Sequence, residues 1–235
     1  MTRSDGPRDS DASRDPGFSE QDRRAFESFA EPPGGSFGEG NLALPSPPLI
    51  ASGGVLTRLS IREEIRSGRL EIDPYDPARV NPNSVDLTLG PEVILYDCRD
   101  GHFDAKTREW NPLTDRDTGG RTPPERITLT DAGRRFLPGD FVIAHTAERT
   151  HSPFHVPELR TKSSLARMGV STVFDAGFGD VGFDGQWTLE LTFALPVILY
   201  PGLPVCQVKF TTPVGPIERY EGRYNGSTGP VTARP

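Results

Sequence analysis

The chain has 235 residues, of which 34% are hydrophobic, and it carries a formal net charge of −7. It contains 25 Gly and 24 Pro, and because both residues interrupt helices this content argues against an all-helical bundle. The acidic charge argues against a broad basic surface for nucleic acid, and no run approaches the ~20 apolar residues of a membrane-spanning helix. Two cysteines, Cys98 and Cys206, are too few for a disulfide framework or a cysteine-rich zinc site. We therefore expect a cytoplasmic, reduced protein that binds neither nucleic acid nor membrane.

Composition divides the chain into three parts. Residues 1–50 carry 5 Arg against 9 Asp and Glu and are rich in Ser, Gly and Pro. Such a segment cannot bury enough apolar surface to offset its ordering entropy, so a disordered or loosely docked extension is expected. Residues 51–212 are predicted to form the folded domain. Residues 213–235 combine aromatic residues and arginine with a Gly-rich run, which is typical of a lid that orders over a ligand and equally of a frayed terminus.

The folded domain is predicted to begin with a short helix over 61–68. Ser60 and Glu63 have the spacing of a capping box. Gly68 is expected to end the helix.

Short predicted strands dominate the rest of the domain. Val85, Leu87 and Leu89 alternate with polar residues, which predicts a half-buried strand. Turn residues separate further short apolar runs, and the weakly apolar stretch 98–125 predicts loops or a hairpin. Many short strands with Pro-Gly turns favour a mainly β sandwich or barrel. The further predicted strands are 92–96, 127–129, 141–145, 196–200 and 205–210.

The segment 162–167 is the first candidate site. Ser163 and Ser164 precede a short helical pattern and are expected to cap it, which would leave backbone N–H groups free for an anion. Arg167 follows Ser163 by four residues, on the same helix face, and could bind the same anion through its planar fork. Lys162 adds a second positive charge. From this segment alone, an ordinary serine cap with a solvated arginine is favoured.

The second candidate is Glu190, in the middle of an alternating strand. Trp187, Leu189 and Leu191 are expected to face the core, which turns Glu190 to the opposite face. If that face looks into a pocket, partial burial raises the pKa of Glu190 toward the range of a general base. A sheet face open to water is the simpler interpretation of the strand by itself.

A glycine-rich stretch, 175–185, separates the two candidates. Its glycines permit close approach of the backbone to a ligand, and Asp180 is a candidate contact to a sugar hydroxyl or a bound water. A run of β-turns would use the same residues.

Taken together, these segments resemble the dCTP deaminase family of the dUTPase superfamily. The resemblance covers roughly residues 55–230, because several separated motifs occur in the family's order at compatible spacing. They are Asn83-Ser84-Val85-Asp86-Leu87-Thr88-Leu89-Gly90, Ser163-Ser164-Leu165-Ala166-Arg167, Ala176-Gly177-Phe178 with Asp180, Thr188-Leu189-Glu190, and Pro201-Gly202 with Gln207.

The resemblance implies a distorted jelly-roll β-barrel, a homotrimer with sites between subunits, and deamination of dCTP to dUTP. It implies that Glu190 activates the water that attacks C4 of cytosine, with Mg²⁺ bound through the triphosphate and no zinc. Zinc deaminases carry His-x-Glu and Pro-Cys-x-x-Cys motifs that this chain lacks. Its histidines are expected on the surface or in loops, except that His145 could lie in a strand. The implied substrate-binding residues are Lys162, Ser163, Ser164, Leu165, Ala166, Arg167, Asp180, Thr188, Leu189, Gln207, Tyr220 and Arg223.

Phe178 and Gln207 resemble the bifunctional members of the family, which also cleave dUTP to dUMP and pyrophosphate. Val173, Asp175 and Ser227 depart from the usual residues. Three alternatives therefore remain open: a dUTP diphosphatase alone, a non-catalytic nucleotide-binding regulator with the same fold, and an enzyme for a modified deoxycytidine nucleotide.

Overall fold

The computed structural model describes residues 53–96, 101–112, 124–174 and 176–234. The predicted extension over 1–50 and Asp175 lie outside these residues. The strands are β1 (Gly54–Val55), β2 (Glu71–Asp73), β3 (Val85–Thr88), β4 (Glu92–Tyr96), β5 (Gly101–Phe103), β6 (Trp110–Pro112), β7 (Glu125–Thr128), β8 (Arg134–Phe136), β9 (Phe141–His151), β10 (Val156–Thr161), β11 (Val170–Ser171), β12 (Asp184–Phe193), β13 (Val197–Leu199) and β14 (Pro204–Thr212), and the helices are α1 (Arg58–Arg66), α2 (Ser163–Ala166) and a 3-10 turn at Pro77–Arg79.

Two antiparallel sheets enclose the core, which confirms the mainly β prediction. One sheet has the order β1-β14-β10, with β3 also paired to β14, and the other has the order β11-β12-β9-β4-β7, with β2 also paired to β9. Buried side chains of both sheets, such as Leu87 and Val208 from the first and Val142 and Leu189 from the second, belong to one hydrophobic cluster. The sheets therefore pack face to face as a jelly-roll-like sandwich. No helix in the described part of the chain is long and apolar enough to cross a bilayer.

Strand β3 corrects the prediction of a half-buried strand. All four of its residues are buried, because a distant carboxylate covers the polar face. Glu148 of β9 accepts hydrogen bonds from the Thr88 N–H at 2.8 Å and from the Thr88 hydroxyl at 2.7 Å. Arg79 donates to the same carboxylate at 2.6 Å. Buried polar groups that are fully paired in this way are compatible with a core position.

Helix α1 is capped one turn earlier than predicted. Its N-cap is Thr57, whose side chain accepts from the Ser60 N–H, so the predicted Ser60 cap is wrong. Glu63 does not reach back to the cap; it forms an ion pair with Arg66 at 2.7 Å. The helix ends at Arg66, and Gly68 follows with φ 70°, a conformation in which glycine is favoured.

A buried polar triad anchors α1 to the sandwich. The Glu64 carboxylate accepts from Arg69 at 2.7 Å and lies 3.0 Å from His155 Nε2. Burial alone would raise the pKa of Glu64, but hydrogen bonds from His155 and Arg69 outweigh it and lower that pKa to about 2. His155 lies in the bend before β10, as expected, but it is fully buried rather than on the surface, and His145 is nearly buried in β9, the strand position that the sequence allowed for it.

Glu64→Gln is expected to lower the free energy of unfolding at neutral pH by about 3 kcal/mol, because it removes one partner of a buried charged network. The folded-state pKa is depressed, so the carboxylate's contribution is present above the ordinary value of 4.5 and is lost as pH falls toward about 2. Urea unfolding across this range should show the difference between wild type and variant shrinking. Glu63→Gln, on the same helix, is the control and should change stability by less than about 0.5 kcal/mol. Equal losses in the two variants would contradict the role of the triad.

Candidate active site

A cavity of about 550 Å³ opens on one face of β12. Along this strand Trp187, Leu189 and Leu191 are buried in the core, as the alternation predicts. The intervening residues Thr188 and Glu190 turn the other way and line the cavity. The strand is paired to β9, with Glu190 opposite Ile143, and Ile143 also lines the cavity. The face that carries Glu190 therefore looks into a concave, partly open cavity rather than onto a flat sheet face in open water.

Glu190 is held in a poorly solvated position. Its Oε2 atom is buried and has no hydrogen-bond partner among the described residues. Burial raises the pKa of Glu190, although hydrogen bonds from the backbone N–H groups of Phe174 and of Glu190 itself act in the opposite direction. A carboxylate with a raised pKa and a free oxygen is a stronger base than an exposed glutamate, and it can bind and deprotonate a water.

Three of the predicted binding residues share the cavity with Glu190. Asp180, Thr188 and Tyr220 all line it. Tyr220 is fixed by its backbone, because its N–H donates to the Val181 carbonyl at 2.7 Å. The strand and the glycine-rich stretch that the sequence singled out therefore meet at one cavity.

The C-terminal segment packs against this cavity in the same chain. The Gln186 N–H donates to the Ser227 carbonyl at 2.9 Å, and the Gly229 N–H donates to Gln186 Oε1 at 2.7 Å. Residues 231–233 line the cavity. Arg223 is predicted to bind substrate; its guanidinium donates to the Arg234 carbonyl at 2.9 Å.

The segment 162–167 lies elsewhere and does not line the cavity. Ser163 and Ser164 are the first two residues of the four-residue helix α2, whose N-cap is Lys162 with no side-chain cap. The prediction that the serine hydroxyls cap this helix is therefore wrong, and both side chains are exposed. Arg167, the C-cap of α2, is exposed as well. The hydroxyl groups and the guanidinium of this segment thus face outward, where a ligand or a second chain can reach them.

Lys162 differs from the other members of the segment. Its ammonium group forms an ion pair with Asp86 of β3, and the other oxygen of Asp86 accepts from Asn81 at 2.8 Å. Asp86 therefore pairs with the positive charge of Lys162 in this chain, and Lys162 stays a predicted binding residue. Gln207 is opposite Asp86 on β14 and accepts from the Ser84 hydroxyl at 3.0 Å.

Asp86 and Asn81 were not predicted as site residues. Asp86 belongs to the stretch 83–90 that carries part of the family resemblance, and that membership was the available signal; Asn81 lies outside this stretch. Their proximity to Lys162 depends on the pairing of β3 and β10 with β14, which the sequence pattern does not specify.

Two of the predicted binding residues point into the core. Leu165 is 2% exposed and Leu189 is 0% exposed, so their side chains cannot contact a ligand. Any contact from these positions must come from the backbone. Ala166 is exposed and borders a separate shallow groove with Gly169 and Thr192.

No group of three or more His, Cys, Asp or Glu side chains in the described ranges is arranged to hold a metal ion. Mg²⁺ commonly binds through one or two carboxylates together with substrate phosphates and waters.

Comparison with known proteins places this arrangement in a family. The family model described as dCTP deaminase-like matches residues 55–212, which include Glu190, Gln207 and the segment 162–167. The chain belongs to the dCTP deaminase-like family. Similar proteins include a dUMP-forming dCTP deaminase of Cytophaga hutchinsonii, 36% identical over 176 residues, which cover 74% of this chain and 92% of the relative. Another, from Streptomyces griseus subsp. griseus and also named dUMP-forming, is 38% identical over 193 residues, which cover 77% of this chain and 94% of the relative.

A solved structure supports the fold of this dCTP deaminase-like chain. The 2'-deoxycytidine 5'-triphosphate deaminase from Agrobacterium tumefaciens matches with a TM-score of 0.52 at 20% identity. The match covers 68% of this chain and 48% of that one. The family resemblance and the dUTPase-like β fold are both confirmed.

Proposed function

We propose that this dCTP deaminase-like chain hydrolyses dCTP to dUTP and then cleaves dUTP to dUMP and pyrophosphate. The observation that carries the proposal is the partly desolvated Glu190 carboxyl group, which lines a cavity large enough for a nucleoside. The names of the relatives, which describe them as dUMP-forming, favour the two-step reaction over deamination alone.

In the deamination step Glu190 acts as the proton carrier. Its carboxylate takes one proton from a water as the water oxygen attacks C4 of cytosine, and it returns that proton to the departing amino group. The second proton of the water ends on N3 of the uracil ring as the C4 carbonyl forms. One water is consumed and one ammonia is released. Thr188, two residues away on the same face of β12, positions the polar edge of the base, and Asp180 contacts the sugar.

The phosphates are bound by the segment 162–167. The Ser163 and Ser164 hydroxyls and the Arg167 fork donate hydrogen bonds to phosphate oxygens. These groups also stabilise the charge that develops when water attacks the α-phosphorus and pyrophosphate departs. Mg²⁺, bound through the triphosphate, screens the phosphate charge when it is present.

A complete site on this proposal needs two copies of the chain. The groups proposed to bind phosphate do not line the cavity that holds Glu190 in their own chain, yet they must reach the same nucleotide. We therefore propose a homotrimer in which Ser163, Ser164 and Arg167 of one protomer complete the cavity of its neighbour. The buried free thiol of Cys206 suits a cytoplasmic location.

Product analysis tests the proposed function. The purified protein is incubated with dCTP and Mg²⁺, and separately with dUTP, and the nucleotides are separated by chromatography. We expect dUMP and pyrophosphate from both substrates, with ammonia from dCTP only. Turnover of dUTP alone would identify a diphosphatase. Thermal stabilisation by dCTP without any product would identify a nucleotide-binding regulator and overturn the proposal.

The raised pKa of Glu190 predicts the pH at which the deamination rate falls on the acidic side. The carboxylate form is the active base, so the deamination rate should fall as pH is lowered through the pKa of Glu190. Because burial raises this pKa, the midpoint should lie above the ordinary value of 4.5. Steady-state kcat/KM for dCTP measured across the acidic range checks this expectation. A rate that stays constant down to 4.5 would show that Glu190 is not the titrating base.

A further inference from the structure

A row of aromatic side chains forms one wall of the Glu190 cavity. Phe103, Tyr96 and Phe141 line the cavity. Neighbouring ring centroids are 5.2 Å apart for Tyr96 and Phe103 and 6.2 Å for Tyr96 and Phe141, and the ring of Phe174 packs edge-on against Phe141 at 6.4 Å. We call Tyr96, Phe103 and Phe141 the aromatic wall. Rings at such spacing pack against one another and present a continuous apolar surface to the cavity.

The aromatic wall lies on one defined side of Glu190. On β9, Phe141 is opposite Thr192, two residues along the strands from the pair formed by Glu190 and Ile143 and therefore on the same face of the sheet. Phe174 is adjacent, since its backbone N–H bonds to the Glu190 carboxylate. In the opposite direction along β12 the cavity is lined by Thr188 and Gln186, and the rings of Phe183, Trp187 and Tyr220 line it as well. Along β12, Glu190 thus stands between two polar side chains on one side and the aromatic wall on the other.

A cytosine ring has the same asymmetry. The edge with O2, N3 and the amino group needs hydrogen-bond partners, whereas the edge with C5 and C6 carries only C–H groups. With C4 at Glu190, the polar edge is satisfied only when it points toward Thr188, because phenyl rings would leave N3 and O2 unpaired. C5 then faces the aromatic wall. A cavity of about 550 Å³ has room beyond the unsubstituted base.

We propose that this cavity also accepts deoxycytidine triphosphates with an apolar substituent at C5, of which 5-methyl-dCTP is the simplest, and that the aromatic wall binds the substituent. The proposal rests on the proposed deaminase function and deepens it by naming a substrate class. A methyl group buried against the wall should raise kcat/KM about fourfold relative to dCTP. A hydroxymethyl group of similar size should lose this gain, because its hydroxyl would be buried without a partner.

The experiment compares deamination of dCTP, 5-methyl-dCTP and 5-hydroxymethyl-dCTP by the full-length protein. We expect kcat/KM for 5-methyl-dCTP to equal or exceed that for dCTP, and the value for 5-hydroxymethyl-dCTP to be about tenfold below that for 5-methyl-dCTP. Phe141→Ser should lower the ratio of 5-methyl-dCTP to dCTP about fourfold. Both substrates are measured in one preparation, so the ratio does not depend on the fraction of folded protein. Tyr200→Ser removes an exposed ring that does not line the cavity and should leave the ratio unchanged.

Binding to the Glu190→Gln variant provides a second readout that does not need turnover. Calorimetric titration should give a Kd for 5-methyl-dCTP at or below that for dCTP. Efficient turnover of dCTP together with tenfold weaker use or binding of 5-methyl-dCTP would overturn the inference while leaving the proposed function intact. Absence of binding by either nucleotide would overturn both.

Discussion

Glu190→Gln is expected to lower kcat for deamination of dCTP about a thousandfold or more. The amide has the size of the carboxylate but cannot take a proton from water, and general acid–base catalysis typically contributes a factor in this range. The effect should be large because Glu190 carries the only proton-accepting role in the proposed step. Its Oε2 atom is buried with no partner among the described residues, and the amide oxygen of glutamine can still accept from the backbone N–H groups of Phe174 and residue 190, so the fold should be kept. Ammonia release from dCTP at saturating substrate measures the change.

The same variant should still bind nucleotide. Neither base stacking nor phosphate binding depends on the carboxylate, so the Kd for dCTP should change by less than about threefold. Glu158→Gln is the matched control, because Glu158 is also a strand glutamate but pairs with Arg160 and Lys209 outside the cavity. A Glu190→Gln protein that retains more than a tenth of wild-type kcat would remove Glu190 from the role of base.

Arg167→Ala is expected to lower kcat/KM for both dCTP and dUTP about a hundredfold to a thousandfold. A planar guanidinium that donates two hydrogen bonds to phosphate stabilises the bound nucleotide by about 3–4 kcal/mol, which is the sum expected for two hydrogen bonds between charged groups. Arg167 is exposed at the C-cap of α2, so the substitution should not alter stability. Steady-state kinetics with each nucleotide, with thermal unfolding as the check on folding, measures the effect.

Two further variants sharpen the interpretation of Arg167. Arg167→Lys keeps the positive charge but loses the guanidinium that donates two parallel hydrogen bonds. Its kcat/KM should therefore lie above that of Arg167→Ala and about tenfold below wild type. Arg66→Ala removes an exposed arginine of α1 whose ion pair, within the described residues, is with Glu63, and it should leave kcat/KM unchanged. Arg167→Ala kinetics within threefold of wild type would show that phosphate is bound elsewhere.

Local patterns predicted those parts of the fold that depend on one strand at a time. The alternation around Glu190 is confirmed because a strand with one face in the core must repeat every second residue. The strand over 92–96 is confirmed with the same bounds. The helix cap was misplaced because Thr57 and Ser60 are both suitable caps, and the choice depends on Glu63 pairing with Arg66 instead of with the cap.

Contacts between distant residues account for what the sequence did not reveal. Strand β3 is buried on both faces because Glu148, 60 residues away, covers Thr88. Lys162 pairs with Asp86 across 76 residues. No short-range pattern reports either pairing. The same limit applies to the candidate site. Glu190 and Thr188 lie on one strand, β12, and line one cavity, whereas the segment 162–167 does not line that cavity in its own chain.

Mixing two inactive variants tests most directly whether the site is shared between copies of the chain. Glu190→Gln supplies an intact Arg167, and Arg167→Ala supplies an intact Glu190. When the two are unfolded together and refolded as a mixture, or co-expressed, a site built from two neighbouring protomers should regain about a quarter of wild-type dCTP deamination, since one interface in four combines both intact residues. A mixture with no more activity than the separate variants would place Glu190 and Arg167 in the same protomer's site, or in no common site, and would contradict the account.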